Sequence, residues 1–179
     1  MPAINVDRGV YMIPQGVSWE DASFAEPLAC VLRAQRKAQI GPGDTVLVIG
    51  SGMAGLLHIQ LARALGATCV LAVDINEDNL QRARSCGATY TIHATREKVV
   101  EKVFEITGHG AQISMDALGS RETSTTSIRC LAKKGKHIQV GILGGKKDIT
   151  ISSADLIAKE IEIIGSHGMP LADYDIIFE

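Results

Sequence analysis

From Asp44 onward the chain predicts an α/β fold, a doubly wound six-stranded parallel sheet. Two observations carry this. Short Val- and Ile-rich runs recur along the chain, as strands covered on both faces require, and helical patterns with end signals fill each interval. At 179 residues and 46% apolar composition, the chain can also bury one good core.

The strands are expected at Thr45 to Ile49, Cys69 to Val73, Thr89 to Ile92, Gln112 to Asp116, Lys136 to Val140 and Glu160 to Ile164. The helices between them are expected at Ala54 to Leu65, Glu77 to Ser85, Arg96 to Thr107, Arg121 to Ala132 and Ala154 to Lys159. Asn76 and Thr95 stand at N-cap positions, and Gly66, Gly87, Gly108 and Gly135 follow last turns. Right-handed crossovers then give the strand order 3-2-1-4-5-6. Before this rhythm, Pro14 to Val17 reads as a loop, and a helix opens at Trp19 and runs through Pro27 to Ala38. At the other end Met169-Pro170-Leu171 begins a short segment that stops at Glu179, as if cut from the middle of a longer polypeptide.

A net charge of −2 without any basic block points away from nucleic acid and anionic membrane surfaces. No apolar run approaches the ~20 residues of a membrane span, and Met1 to Asp7 lacks the form of a signal peptide. Cys30, Cys69, Cys86 and Cys130 are isolated, which fits a reducing, cytoplasmic setting and no structural zinc cluster.

The chemistry concentrates behind the first strand. Gly50-Ser51-Gly52-Met53-Ala54-Gly55 spells G-x-G-x-x-G between strand and helix, and Asp74 follows nineteen positions past Gly55. This is a dinucleotide-binding fingerprint. The first Gly permits the tight turn, the second a close backbone approach to pyrophosphate, and the third close packing of helix on strand. At the end of the second strand, Asp74 would accept from the adenosine ribose hydroxyls and repel a 2′-phosphate, favouring NAD over NADP. The alternative is an acid that favours the next helix N-terminus. Ile75 adjoins it, and Asn79 either contacts the adenosine edge or stands as a solvated helix residue.

Strand ends at the topological switch supply the other half of a site. Ala117 and Leu118 follow the fourth strand, and Val140, Gly141 and Ile142 lead into Leu143-Gly144-Gly145 after the fifth. There a flat ring could lie against main-chain groups, or the segments are simply turns. Asp116 reads as ligand or as structural cap. Glu26 and Cys30, four residues apart, share a helix face and are both zinc-competent donors, or an exposed acid beside a buried thiol. His58, His109 and His137 lack partners at metal-ligand spacing, and His167 has no assigned role.

Ala25-Glu26-Pro27-Leu28-Ala29-Cys30, Gly41-Pro42-Gly43-Asp44, the glycine loop, Ala72-Val73-Asp74, Ser85-Cys86-Gly87-Ala88 and Lys134-Gly135-Lys136 together resemble the zinc-dependent alcohol dehydrogenases of the medium-chain dehydrogenase/reductase superfamily. Glu-Pro-Leu most resembles the polyol and threonine dehydrogenase branch. The resemblance implies a Rossmann coenzyme domain over 41–168, preceded by a junction and linking helix (1–40) and followed by a truncated segment (169–179). It implies hydride transfer from a primary or secondary alcohol to NAD in an intact enzyme, where zinc polarises the substrate oxygen. It further implies a homodimer or tetramer. The family's zinc-binding segments, Gly-x-Cys-Gly and Gly-His-Glu, do not occur here, so Cys30 or Glu26 would be what remains of the metal set. Binding of NAD without catalysis or zinc is therefore expected of this chain alone. Alternatives are a zinc-independent NAD(P)H quinone or enone reductase domain, which Asp74 argues against, and a non-catalytic NAD-sensing module. A methyltransferase fits the three-glycine spacing less well.

Overall fold

Parallel pairing throughout builds a six-stranded sheet in the order β3-β2-β1-β4-β5-β6, as the crossovers predict. The computed structural model describes residues 9–142, 148–170, 174, 176 and 177. The strands are β1 (Thr45–Ile49), β2 (Cys69–Asp74), β3 (Tyr90–His93), β4 (Ala111–Asp116), β5 (Leu131–Gln139) and β6 (Glu162–Gly165). The helices are α1 (Trp19–Ala22), α2 (Ala25–Ala38), α3 (Met53–Ala64), α4 (Glu77–Ser85), α5 (Val99–Thr107), α6 (Arg121–Arg129) and α7 (Ser153–Lys159).

Alternate residues of the central strands face opposite sides of the sheet, and both sides are covered. Val46, Val48, Val70, Ala72 and Met115 pack with Ala34 and Ala38 of α2, Ile59 of α3 and Ala83 of α4. Leu47, Ile49, Leu71, Val73 and Ile92 pack with Val103 of α5 on the other side. All five residues of β1 are buried, which is why its sequence shows no alternation.

Three local expectations need correction. The helix from Trp19 to Ala38 is broken at Ser23-Phe24. Pro27 has no N–H to offer the Ser23 carbonyl, and the Ser23 hydroxyl donates to Glu20 O at 2.6 Å, competing with the ladder. Thr95 is not an N-cap: the 93–98 turn is held by Glu97, whose Oε1 accepts from His93 N at 2.9 Å, and α5 starts after Lys98. Gly135 lies inside β5 rather than after a helix. Between the pairs Ala111↔Leu131 and Ile113↔Lys136, β5 carries three more residues than β4, so its first half bulges and escapes a pattern search. Asn76 does cap α4, accepting from Asp78 N and Asn79 N.

Among the described residues edge strand β6 has one side unpaired, and Ile163 on it is 39% exposed. Among the described residues no helix is long and apolar enough to cross a membrane.

Candidate functional site: the C-terminal end of the sheet

The three glycines of the loop have different reasons to be glycine. Gly50 has φ +93°, and its N–H donates to Val73 O at 2.8 Å, turning the chain out of β1 against β2. A Cβ on Gly55 would stand 1.8 Å from the Gly50 carbonyl oxygen, so α3 can lie on the turn only if that position is bare. Gly52 is unlike both. Its φ is −73°, and a Cβ there would meet no protein atom within 4 Å. Among the described residues nothing requires glycine at 52. It stands exposed at the N-cap of α3 and offers no capping side chain, so first-turn N–H groups remain open to an acceptor from outside.

Asp74 ties that loop to the next one. Its Oδ2 accepts from Ser51 N at 2.7 Å and from Asn79 Nδ2 at 3.4 Å, and its Oδ1 accepts from Asn76 N at 2.9 Å. A carboxylate offers about four acceptor positions, so about one remains, with the long Asn79 contact easily exchanged. Asn79 thus turns toward the carboxylate. Ile75, the next residue, is 68% exposed, an apolar side chain held in water beside a charged one. Met53, Leu118 and Ile142 are exposed on the neighbouring loops at the same end of the sheet.

Asp116 proves to be a structural hub. Fully buried, it accepts from the Leu118 and Gly119 N–H groups, from Ser124 Oγ at 2.6 Å and from Gln139 Nε2 at 3.1 Å. These bonds lock β4, α6 and β5 together. Just beyond, Gly141 N donates to Asp116 O at 2.8 Å, and a Cβ on Gly141 would come within 2.3 Å of Gly119 N. Ala117, Leu118, Val140, Gly141 and Ile142 are thereby brought together, across the sheet from Asp74. Leu143-Gly144-Gly145 lies outside the described residues.

Sequence reasoning missed a cleft of about 620 Å³ that opens beside Ile75. Ile49, Val73 and Val99 belong to its apolar lining, and Thr95 and Thr123 line it as well. It forms between α5 and α6, consecutive helices that meet only once β4 is laid in the sheet, and the one signal available was the position of their leading loops at the strand C-termini.

At the start of α2, Cys30 Sγ donates to Glu26 Oε1 at 3.2 Å. Burial first, then this bond and the Glu26 charge, push the thiol up to about 11. Tyr174 lies close by, stacked on Tyr11 with 5.8 Å between ring centroids, and its hydroxyl is also pushed up by burial and by Glu26. Among the described residues no three His, Cys, Asp or Glu gather for a metal, so these two donors do not by themselves make a catalytic zinc site. The histidines are structural where buried. His58 is bonded by Gln35 Nε2 at 3.2 Å, and burial lowers it to about 4. His137 sits among Ser114, Ser127 and Gln139, also lowered by burial. The His109 Nδ1 stands 2.8 Å from Gly110 O, and His167 takes part through its carbonyl, which accepts from Arg33.

This architecture defines the Rossmann class of doubly wound domain. Residues 54–177 match a family model described as zinc-binding dehydrogenase. A sorbitol dehydrogenase of Halalkalibacterium halodurans is 33% identical over 170 residues, 94% of this chain and 49% of that protein. A probable D-xylulose reductase A of Aspergillus niger is 31% identical over 93% of this chain and 47% of its own length. Among solved structures, a zinc-binding dehydrogenase of Sinorhizobium meliloti bound to NADP superposes with TM-score 0.87 at 29% identity, covering 94% of this chain and 51% of that one. A 2R,3R-butanediol dehydrogenase from Bacillus subtilis superposes with TM-score 0.85 at 27% identity, over 94% and 48%. The chain belongs to the zinc-binding dehydrogenase family, in its polyol dehydrogenase branch. It spans about half the length of the curated relatives it matches.

Proposed function

We propose that this chain is the NAD-binding half of a zinc-dependent alcohol, polyol or threonine-type dehydrogenase, which transfers hydride from a primary or secondary alcohol to NAD. The observation that carries the reading is Gly52: a bare, exposed position that the fold does not require, at an uncapped helix N-terminus beside Asp74. An approaching pyrophosphate explains it. On this reading Gly50, Ser51, Gly52, Met53, Ala54 and Gly55 cradle the phosphates. Asp74 takes a ribose hydroxyl, assisted by Asn79, and Ile75 covers adenine at the mouth of the cleft beside it. Ala117, Leu118, Val140, Gly141 and Ile142 receive the nicotinamide, whose own chemistry supplies the hydride acceptor.

The division into a junction (1–40), a coenzyme domain (41–168) and a terminal segment (169–179) goes with this reading, α2 closing one face of the sheet. A zinc site in the intact enzyme needs at least one further donor beside Glu26 and Cys30. The protein works as a cytoplasmic homodimer or tetramer, with the β6 edge as the pairing seam. Calorimetry with NAD, NADP and S-adenosylmethionine tests the proposal: NAD binds well ahead of the other two, and the chain alone, with or without zinc, forms no NADH from alcohols, sorbitol or threonine. Equal binding of NAD and NADP, or zinc-dependent turnover by this chain, refutes it.

A further inference from the structure

Two loops flank the Asp74 carboxylate, and each carries charge. On one side, Asn76 and Asn79 both donate to Asp74, and Glu77 stands between them at the first position of α4. On the other, His93 is the strand partner of Asp74, and Arg96 follows three residues later with its N–H on the His93 carbonyl. Neighbouring strands lie about 4.8 Å apart, so both loops reach the same space above the carboxylate. Glu77 bridges the two loops. Its Oε2 holds Arg96 Nη1 at 3.0 Å, and its Oε1 holds Arg84 Nη1 at 3.9 Å, while Arg84 also donates to Thr91 Oγ1. The next cation along, Lys98, is paired with Glu101 at 3.0 Å.

We propose that Glu77 is a second determinant of dinucleotide choice, because its carboxylate occupies the Arg96 guanidinium that would otherwise receive a ribose 2′-phosphate. The inference rests on the dinucleotide reading above and concerns only the adenosine end. The Arg96 and Glu77 side chains are 66% and 52% exposed, so their pairing adds little stability and is readily exchanged. A phosphate carrying about −2 charge forms stronger, bidentate bonds to a free guanidinium. With Glu77 in place the phosphate must displace a carboxylate from Arg96 and also meet its repulsion. Discrimination against the phosphate is thus shared between Asp74, by direct repulsion, and Glu77, by withholding cations.

The test compares 5′-AMP with 2′,5′-ADP by calorimetry on each variant, so that the 2′-phosphate is the sole difference and 5′-AMP is the internal reference. Variants are Glu77→Gln alone, Asp74→Ser, the pair, and the pair with Arg96→Ala, each checked for native circular dichroism. Glu77→Gln raises the affinity ratio of 2′,5′-ADP to 5′-AMP by about tenfold in either background, and Arg96→Ala removes most of that gain. A ratio unmoved by Glu77→Gln, or a gain that survives Arg96→Ala, overturns the inference while 5′-AMP binding keeps the dinucleotide reading intact. If the unsubstituted chain binds neither 5′-AMP nor NAD, both fall together.

Discussion

Gly52 and Gly55 are three residues apart in one motif, yet the structure predicts that their substitution fails in opposite ways. Alanine at 55 places its Cβ 1.8 Å from the Gly50 oxygen, so α3 must retreat by more than about 1 Å from the turn that β1 fixes. That is overpacking against backbone, which cannot rotate away, and about 3 kcal/mol is expected. For a chain of this size the melting temperature should fall by about 6–12 °C. The Cβ of valine at 52 meets no atom of the described residues within 4 Å beyond its chain neighbours. Its intrinsic cost is that of a poor N-cap residue, about 1 kcal/mol or a few degrees. It does fill the space through which a pyrophosphate would approach the α3 N-terminus, so NAD affinity should fall at least about 100-fold. Thermal unfolding and NAD calorimetry on both variants separate the two effects. Wild-type NAD affinity in folded Gly52→Val, or a wild-type melting temperature in Gly55→Ala, would refute the reasoning.

Asp74→Ser combined with Ile75→Arg should narrow the preference for NAD over NADP, since it removes a repelling carboxylate and adds a phosphate partner; equal discrimination by calorimetry would count against the assignment. His58 is lowered to about 4 by burial, so the folded chain binds fewer protons than the unfolded one between that value and about 6.5. Stability is therefore full above pH 6.5 and is lost as pH falls. About 2 kcal/mol should disappear between pH 7.5 and 5, and His58→Leu should flatten that slope in urea unfolding. Sedimentation should show a concentration-dependent dimer through β6, which Ile163→Lys weakens; a monomer at all concentrations would exclude that seam.

The sheet was legible in the sequence because its central strands are buried on both faces, so β1 and β2 read as nearly unbroken apolar runs with little competition from other patterns. Asn76 was legible as a cap because its side chain bonds locally. What escaped depends on partners distant in the chain. The bulge in β5 exists only relative to β4, and the cleft beside Ile75 exists only once α5 and α6 are laid against the sheet. Asp116 could be read either way at a strand end; four donors, two from the loop after β4 and one each from α6 and β5, decide for a structural role. Pro27 carried a usable signal that the helical pattern outweighed: a missing N–H shows four residues upstream, at Ser23.

The fastening of α2 has a consequence for how freely this chain can change. Lys37 donates to Gly165 O at 2.7 Å, Arg33 to His167 O and Gly168 O at 3.2 Å each, and Lys136 to Ala38 O at 3.2 Å. Lys136 also donates to Gln39 Oε1 at 2.9 Å, but each acceptor in the 165–168 segment is a main-chain carbonyl, present whatever side chain the residue bears. His167, whose side chain is exposed, can therefore be exchanged for another residue without unhitching the helix from the sheet edge, and none of the acceptors titrates. A deletion is another matter, because it shifts the carbonyls past the cations that hold them. The segment is tolerant of a new letter at His167 and intolerant of new spacing throughout.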